Sequence, residues 1–82
     1  MSLDLPSVKN IDGSGLRFAV VASRYNESLV DSLVSHASAT LTASGADAPT
    51  IERVPGAAEL PFAAATLAAQ QTFDAIIVIG VV

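Results

Sequence analysis

The sequence contains no cysteine, no tryptophan and only four basic residues. Without cysteine there can be no disulfide and no thiolate metal ligand, so a reducing compartment is the default expectation. Eight acidic residues give a net charge of −4, which argues against nucleic acid and anionic membranes as partners. A basic leader followed by an apolar stretch is missing, as is any apolar run of roughly 20 residues. We therefore expect a cytoplasmic protein that makes no membrane contact.

The chain is long enough for one small domain, because 51% of its 82 residues are apolar. We assign residues 1–82 to this single domain and treat residues 1–15, which are polar and interrupted by glycine and proline, as an N-terminal arm. The last nine residues, DAIIVIGVV, carry a single charge. A natural carboxyl terminus is seldom so apolar, so we expect a truncated chain.

Two kinds of periodicity alternate along the sequence. Leu16–Ser23 and Asp74–Val82 are apolar runs typical of strands buried on both faces, and Thr50–Val54 is a shorter strand. A helical stripe follows Ser28 and ends at Gly45; its members are Val30, Leu33, Val34, Ala37 and Leu41. A second helix should begin with Pro61 and reach about Gln71. The order β-α-β-α-β without hairpins predicts a flavodoxin-like, three-layer α/β/α fold with a parallel sheet.

Ligands of such sheets lie beyond the carboxyl ends of the strands. Three segments reach this edge, which we call the rim: SRYNES (23–28), PGAAEL (55–60) and GVV (80–82). Tyr25 could stack on a flat heterocycle or pack across the sheet. Asn26 could simply cap the first helix, with Ser28 as the competing cap. Arg24 could bind an anion or form a structural ion pair.

The carboxylate in the second rim segment has two interpretations. Glu59 would gain about 0.3–1 kcal/mol from the dipole of the second helix, or it could hold a ligand. Gly56 indicates a backbone conformation or a close approach that a side chain would block. The single histidine, His36, lies on the flank of the first helix and is interpreted as a surface or interface residue. The sequence contains no P-loop, no Ser-His-Asp arrangement and no cluster of metal ligands.

The motifs RYN, ASG, VPGAAELP and FDAIIVIGVV occur in this order and at the spacing of one enzyme family. From about Leu16 to Val82 the chain resembles the N-terminal part of 6,7-dimethyl-8-ribityllumazine synthases. The resemblance implies condensation of 5-amino-6-(D-ribitylamino)uracil with 3,4-dihydroxy-2-butanone 4-phosphate, in riboflavin biosynthesis, without metal or organic cofactor. It also implies a homopentamer or larger assembly, with sites between subunits and with the arm joining a neighbour's sheet.

The resemblance further implies roles for individual residues. Tyr25 would stack on the pyrimidine, with Asn26 beside it in the same motif. Ala57, Ala58 and Glu59 would hold the ribityl chain and the ring edge, and Val81 and Val82 would line the ring pocket. The family's acid-base histidine would lie beyond Val82, so no catalytic residue is assigned here and the chain alone should be inactive.

Two departures from the family pattern stand out. Ala58 replaces a frequent aromatic, which would thin one wall of the pocket, and His36 replaces a small residue at a packing or subunit position. Two alternatives remain at this point. One is a non-catalytic flavodoxin-like module that binds a flat heterocycle, and the other is a purely structural assembly fragment.

Overall fold

The computed structural model describes residues 11–82, which contain three strands and two helices. In chain order these are β1 (Phe18–Ser23), α1 (Glu27–Ala43), β2 (Thr50–Val54), a short 3₁₀ turn (Ala57–Glu59), α2 (Leu60–Ala69) and β3 (Ala75–Ile79). The predicted order β-α-β-α-β is confirmed.

The strands form one parallel sheet in the order β2-β1-β3. The central strand is covered on both faces, since every residue from Ala19 to Ser23 is fully buried. This burial is what the uninterrupted apolar run in the sequence predicts. After β2 the chain crosses over β1 through α2, so that β3 lies on the other side of the central strand.

Alternate residues of β1 face two separate hydrophobic clusters. Ala19 and Val21 pack with Leu60 and Leu67 of α2, together with Val54. On the opposite face, a second cluster comprises Val20, Ala22, Val30 and Val34. The helices therefore cover opposite faces of the sheet, which confirms the three-layer α/β/α fold. Complete burial of a valine such as Val20 contributes roughly 1.5–3 kcal/mol.

Helix α1 follows the predicted stripe, although the buried part is narrower than expected. Val30 and Val34 are buried, whereas Leu33 is 42% exposed. The helix ends as predicted: Gly45 has φ of 96°, the left-handed conformation that closes many helices. Helix α2 begins at Leu60, one residue before Pro61, and ends at Ala69.

The two long strands are shorter than predicted. β1 starts at Phe18 rather than Leu16, and β3 covers Ala75–Ile79 rather than Asp74–Val82. Asp74 instead exchanges two hydrogen bonds with Arg17, each of 2.7 Å, through its own N–H and through its carboxylate. The prediction that β3 is buried on both faces is also wrong. Val78 is 48% exposed: it lies on the edge strand and, unlike Ile76 on the same face, is not part of the cluster that packs against α2.

The part of the arm that the structure describes contacts the end of α1. Gly13 is buried there, and its N–H donates to the carbonyl of Ser44 at 2.7 Å. The remainder of the arm, residues 1–10, lies outside the described residues. Among residues 11–82, neither helix has the length and apolar character needed to cross a bilayer.

Candidate functional site at the strand carboxyl ends

The strand order predicts the position of a ligand-binding crevice at the rim. In open parallel sheets, ligands bind at the point where the strand order reverses, and in flavodoxin-like sheets, whose order begins β2-β1-β3 as here, this point lies between β1 and β3. Ala22 pairs with Ile79 in the sheet. The next residues, Ser23 and Gly80, therefore stand opposite each other at the crevice.

Gly80 allows the 3₁₀ turn to approach the end of β3 closely. A Cβ at this position would lie 2.6 Å from Cδ1 of Leu60 and 3.7 Å from Cβ of Ala57. A contact of 2.6 Å is shorter than real side chains tolerate, so a larger residue at this position would have to displace the end of the Leu60 side chain. The structure thus brings together Ala57 and Gly80, which belong to two of the three rim segments.

Glu59 lies at the start of α2 with its side chain exposed. Its N–H donates to the carbonyl of Gly56 at 3.2 Å, and its carboxylate makes no capping hydrogen bond to α2. A Cβ on Gly56 would lie 3.3 Å from Oε2 of Glu59, whereas the backbone of Gly56 is extended, with φ of −144°. Of the two reasons considered for this glycine, close approach applies and unusual backbone conformation does not.

Tyr25 and Asn26 form the turn that leaves β1. Tyr25 is 62% exposed, so the alternative in which its ring packs across the top of the sheet is not observed. Asn26 occupies the N-cap position of α1 but makes no side-chain capping bond, and Ser28 lies within the helix. The capping interpretation is therefore wrong for the side chains. Instead Asn26 adopts the left-handed conformation, φ 58°, which asparagine tolerates better than most residues.

The last two residues of the rim differ in their surroundings. Val81 is half-buried against the cluster beneath α1, while Val82 is exposed. Ala58 is also exposed. The rim residues assigned to substrate binding therefore occupy one edge of the sheet, and most of them are open to solvent.

The two basic residues considered in the sequence, Arg24 and His36, make no side-chain hydrogen bond or ion pair with another rim residue among those the structure describes. Arg24 is exposed and forms no ion pair within residues 11–82; its N–H extends the β1–β2 ladder by donating to Val54 at 2.7 Å. An ion pair is found instead between Arg53 of β2 and Asp31 of α1. His36 is exposed on α1, and its Nδ1–H donates to the carbonyl of Ser32 at 2.7 Å.

Sequence reasoning missed Ser23. Ser23 is fully buried at the end of β1, and its hydroxyl has no hydrogen-bond partner among the described residues. The sequence feature that could have identified this residue is a serine at the end of an otherwise apolar strand.

Two clefts lie away from the rim. One, of about 200 Å³, is found at the amino ends of the strands and includes Arg17, Asp47 and Phe73. The other, of about 310 Å³, lies between β2 and α2 and includes Glu52 and Phe62. Neither contains a residue of the predicted site. We assign the site by strand topology and by convergence of the rim segments, because these clefts bring together none of the predicted residues.

The fold and the rim define a parallel α/β protein with a candidate binding crevice at the carboxyl ends of its strands. Comparison with known families refines this class, since residues 15–82 match the model of 6,7-dimethyl-8-ribityllumazine synthase. The chain belongs to this family.

Curated relatives give the same result. The chain is 42% identical to the 6,7-dimethyl-8-ribityllumazine synthase of Mycolicibacterium vanbaalenii, over 95% of this chain and 48% of the relative. It is 51% identical to that of Kineococcus radiotolerans, over 88% of this chain and 44% of the relative. For the Cutibacterium acnes enzyme the identity is 40%, over 100% of this chain and 48% of the relative. The chain thus spans about half the length of the curated relatives it matches.

Proposed function

We propose that this chain is the N-terminal portion of a 6,7-dimethyl-8-ribityllumazine synthase. The whole protein would condense 5-amino-6-(D-ribitylamino)uracil with 3,4-dihydroxy-2-butanone 4-phosphate in riboflavin biosynthesis. The observation that carries this proposal is the family match over residues 15–82, which includes all three rim segments. The three relatives compared above are all named as 6,7-dimethyl-8-ribityllumazine synthases.

In this proposal the rim binds the pyrimidine substrate. Tyr25 stacks on the ring, and its 62% exposure leaves its face available for a ligand. Ala57, Ala58 and Glu59 hold the ribityl chain and the ring edge, with Asn26 near the ring and Val81 and Val82 along the pocket wall. The carboxylate of Glu59 is exposed and makes no cap bond, so it is free to accept hydrogen bonds from ribityl hydroxyls.

The remaining parts of the mechanism lie outside this chain. We assign the acid-base histidine and the phosphate-binding residues to sequence beyond Val82, and we propose that neither metal nor organic cofactor takes part. The exposed rim supports a site that other polypeptide completes, in keeping with a cytoplasmic homopentamer or a larger assembly. By this proposal the chain of 82 residues is inactive on its own.

The test uses the full-length protein with both substrates. Formation of the lumazine is followed by its absorbance, and binding of the ribitylaminouracil is measured by calorimetric titration. Turnover with both substrates supports the synthase. Binding of the pyrimidine without turnover would instead support the non-catalytic module, and absence of both would overturn the proposal.

A further inference from the structure

The hydroxyl of Ser23 is in an unfavourable environment unless it has a partner. The residue is fully buried, and Oγ makes no hydrogen bond to any described residue. A buried polar group without a hydrogen bond costs free energy that an alanine would avoid. The same strand uses alanine at two other buried positions, Ala19 and Ala22, so a hydroxyl at its end calls for a specific reason.

The location of this hydroxyl supplies the reason. Side chains alternate along a strand, so Ser23 lies on the same face as Ala19 and Val21, which is the face that α2 covers. A Cβ on Gly80 would lie 3.5 Å from Oγ of Ser23 and 3.7 Å from Cβ of Ala57. The hydroxyl of Ser23 therefore lies close to Gly80, at the carboxyl ends of β1 and β3 and near the 3₁₀ turn.

We propose that Ser23 is a positioning residue of the rim. When the ligand is bound, its hydroxyl hydrogen-bonds the backbone at the junction of the 3₁₀ turn and the β3 end. That bond fixes the separation between residues 57–59 and residues 80–82, which carry the ligand contacts. A hydroxyl suits this role because it can donate as well as accept. The inference depends on the proposed function, since it concerns the same binding site.

The chain offers a matched control. Ser38 of α1 also has a buried hydroxyl without a partner among residues 11–82, but it belongs to no rim segment. Ser23→Ala and Ser38→Ala therefore each remove a buried hydroxyl without a partner, the first at the rim and the second from a partly buried residue of a helix. Both substitutions are small enough to keep the fold.

The experiment compares wild type, Ser23→Ala and Ser38→Ala in the full-length protein. For Ser23→Ala we expect the ligand-free melting temperature to stay equal or rise. The KM for the ribitylaminouracil should increase roughly three- to tenfold, as for one lost hydrogen bond, with kcat nearly unchanged. Ser38→Ala should leave both kinetic constants unchanged.

Three results would overturn the inference. The first is a normal KM in Ser23→Ala, which would make the hydroxyl a tolerated buried group. The second is an equal rise of KM in Ser38→Ala, which would show a nonspecific effect. The third is a wild type that neither binds nor converts the pyrimidine. This last result refutes the proposed function itself, and so differs from a failure of Ser23 alone in an active enzyme.

Discussion

The carboxylate of Glu59 lies against Gly56: its Oε2 is 3.3 Å from the point that a Cβ on Gly56 would occupy. The two residues begin and end the turn that leads into α2, and they are also joined by the hydrogen bond from the N–H of Glu59 to the carbonyl of Gly56. Since the backbone of Gly56 is extended, this glycine makes room for the carboxylate and imposes no special conformation.

Gly56→Ala should therefore affect binding more than folding. Alanine adopts the extended conformation without strain, and the lower entropy of the unfolded chain could add about 0.4–1 kcal/mol of stability. The new methyl group would shift the carboxylate of Glu59 by a few tenths of an ångström, so we expect weaker binding of the ribitylaminouracil. Thermal unfolding and calorimetric titration of the full-length variant measure the two effects.

Gly45→Ala should affect stability rather than binding. Gly45 has φ of 96°, and a Cβ there would lie 2.9 Å from Oγ of Ser14. Alanine in this conformation is strained, so the variant should lose about 1 kcal/mol or more of unfolding free energy, with ligand affinity unaffected. Equal stability of the two glycine variants in chemical denaturation would contradict the distinction.

Asn26 permits a test of conformation against capping. Serine caps helices about as well as asparagine but is less tolerant of φ near 58°. If the left-handed conformation matters, Asn26→Ser should destabilise the protein by about 1 kcal/mol, whereas Asn26→Gly should be neutral or slightly stabilising. A side-chain cap predicts instead that serine is harmless and glycine slightly costly. Urea unfolding of both variants decides between the two.

Most of the fold can be predicted from the sequence because the spacing of apolar residues reflects which side chains each strand or helix buries. The continuous run in β1 corresponds to full burial, and Gly45 ends α1 where the stripe ends. Strand order has no such signal, since periodicity does not say which strands are neighbours. The exposure of Val78 was missed for this reason, because its environment depends on β3 lying at an edge.

The sequence predicts which three segments form the candidate site, but it does not predict the contacts between their residues. Topology rules bring the strand ends to one rim, which is why the three segments could be assigned together. They do not specify that Gly80 lies close to Ala57, nor that Ser23 is fully buried close to Gly80. These details depend on the register of β1 with β3 and on how closely the 3₁₀ turn approaches, and neither is encoded in local patterns.

Tyr25 should matter for binding and little for stability. The residue is 62% exposed, so Tyr25→Ala should change the free energy of unfolding by no more than about 0.5 kcal/mol. If Tyr25 stacks on the pyrimidine as proposed, its loss should weaken binding of the ribitylaminouracil by about 1–3 kcal/mol, on the scale of base–aromatic stacking. Tyr25→Phe keeps the ring and serves as the control, with affinity close to wild type. Calorimetric titration that gives equal affinity for alanine and tyrosine would remove Tyr25 from the site.

Glu59 allows the helix-dipole and ligand interpretations to be separated by one substitution. Glu59→Gln preserves size and removes the charge. Because the side chain is exposed and makes no capping bond, its loss of charge near the start of α2 should cost at most about 1 kcal/mol of stability.

If the carboxylate accepts hydrogen bonds from ribityl hydroxyls, the same variant should lose roughly 1.5–3 kcal/mol of binding free energy, since charged acceptors make the stronger hydrogen bonds. Both quantities should be measured on the full-length protein, with Glu52→Gln as the control, because Glu52 lies on β2 away from the rim. A Glu59→Gln protein that melts lower yet binds the ribityl substrate normally would show that Glu59 only helps to start α2. Normal melting with weakened binding would place its carboxylate on the ligand.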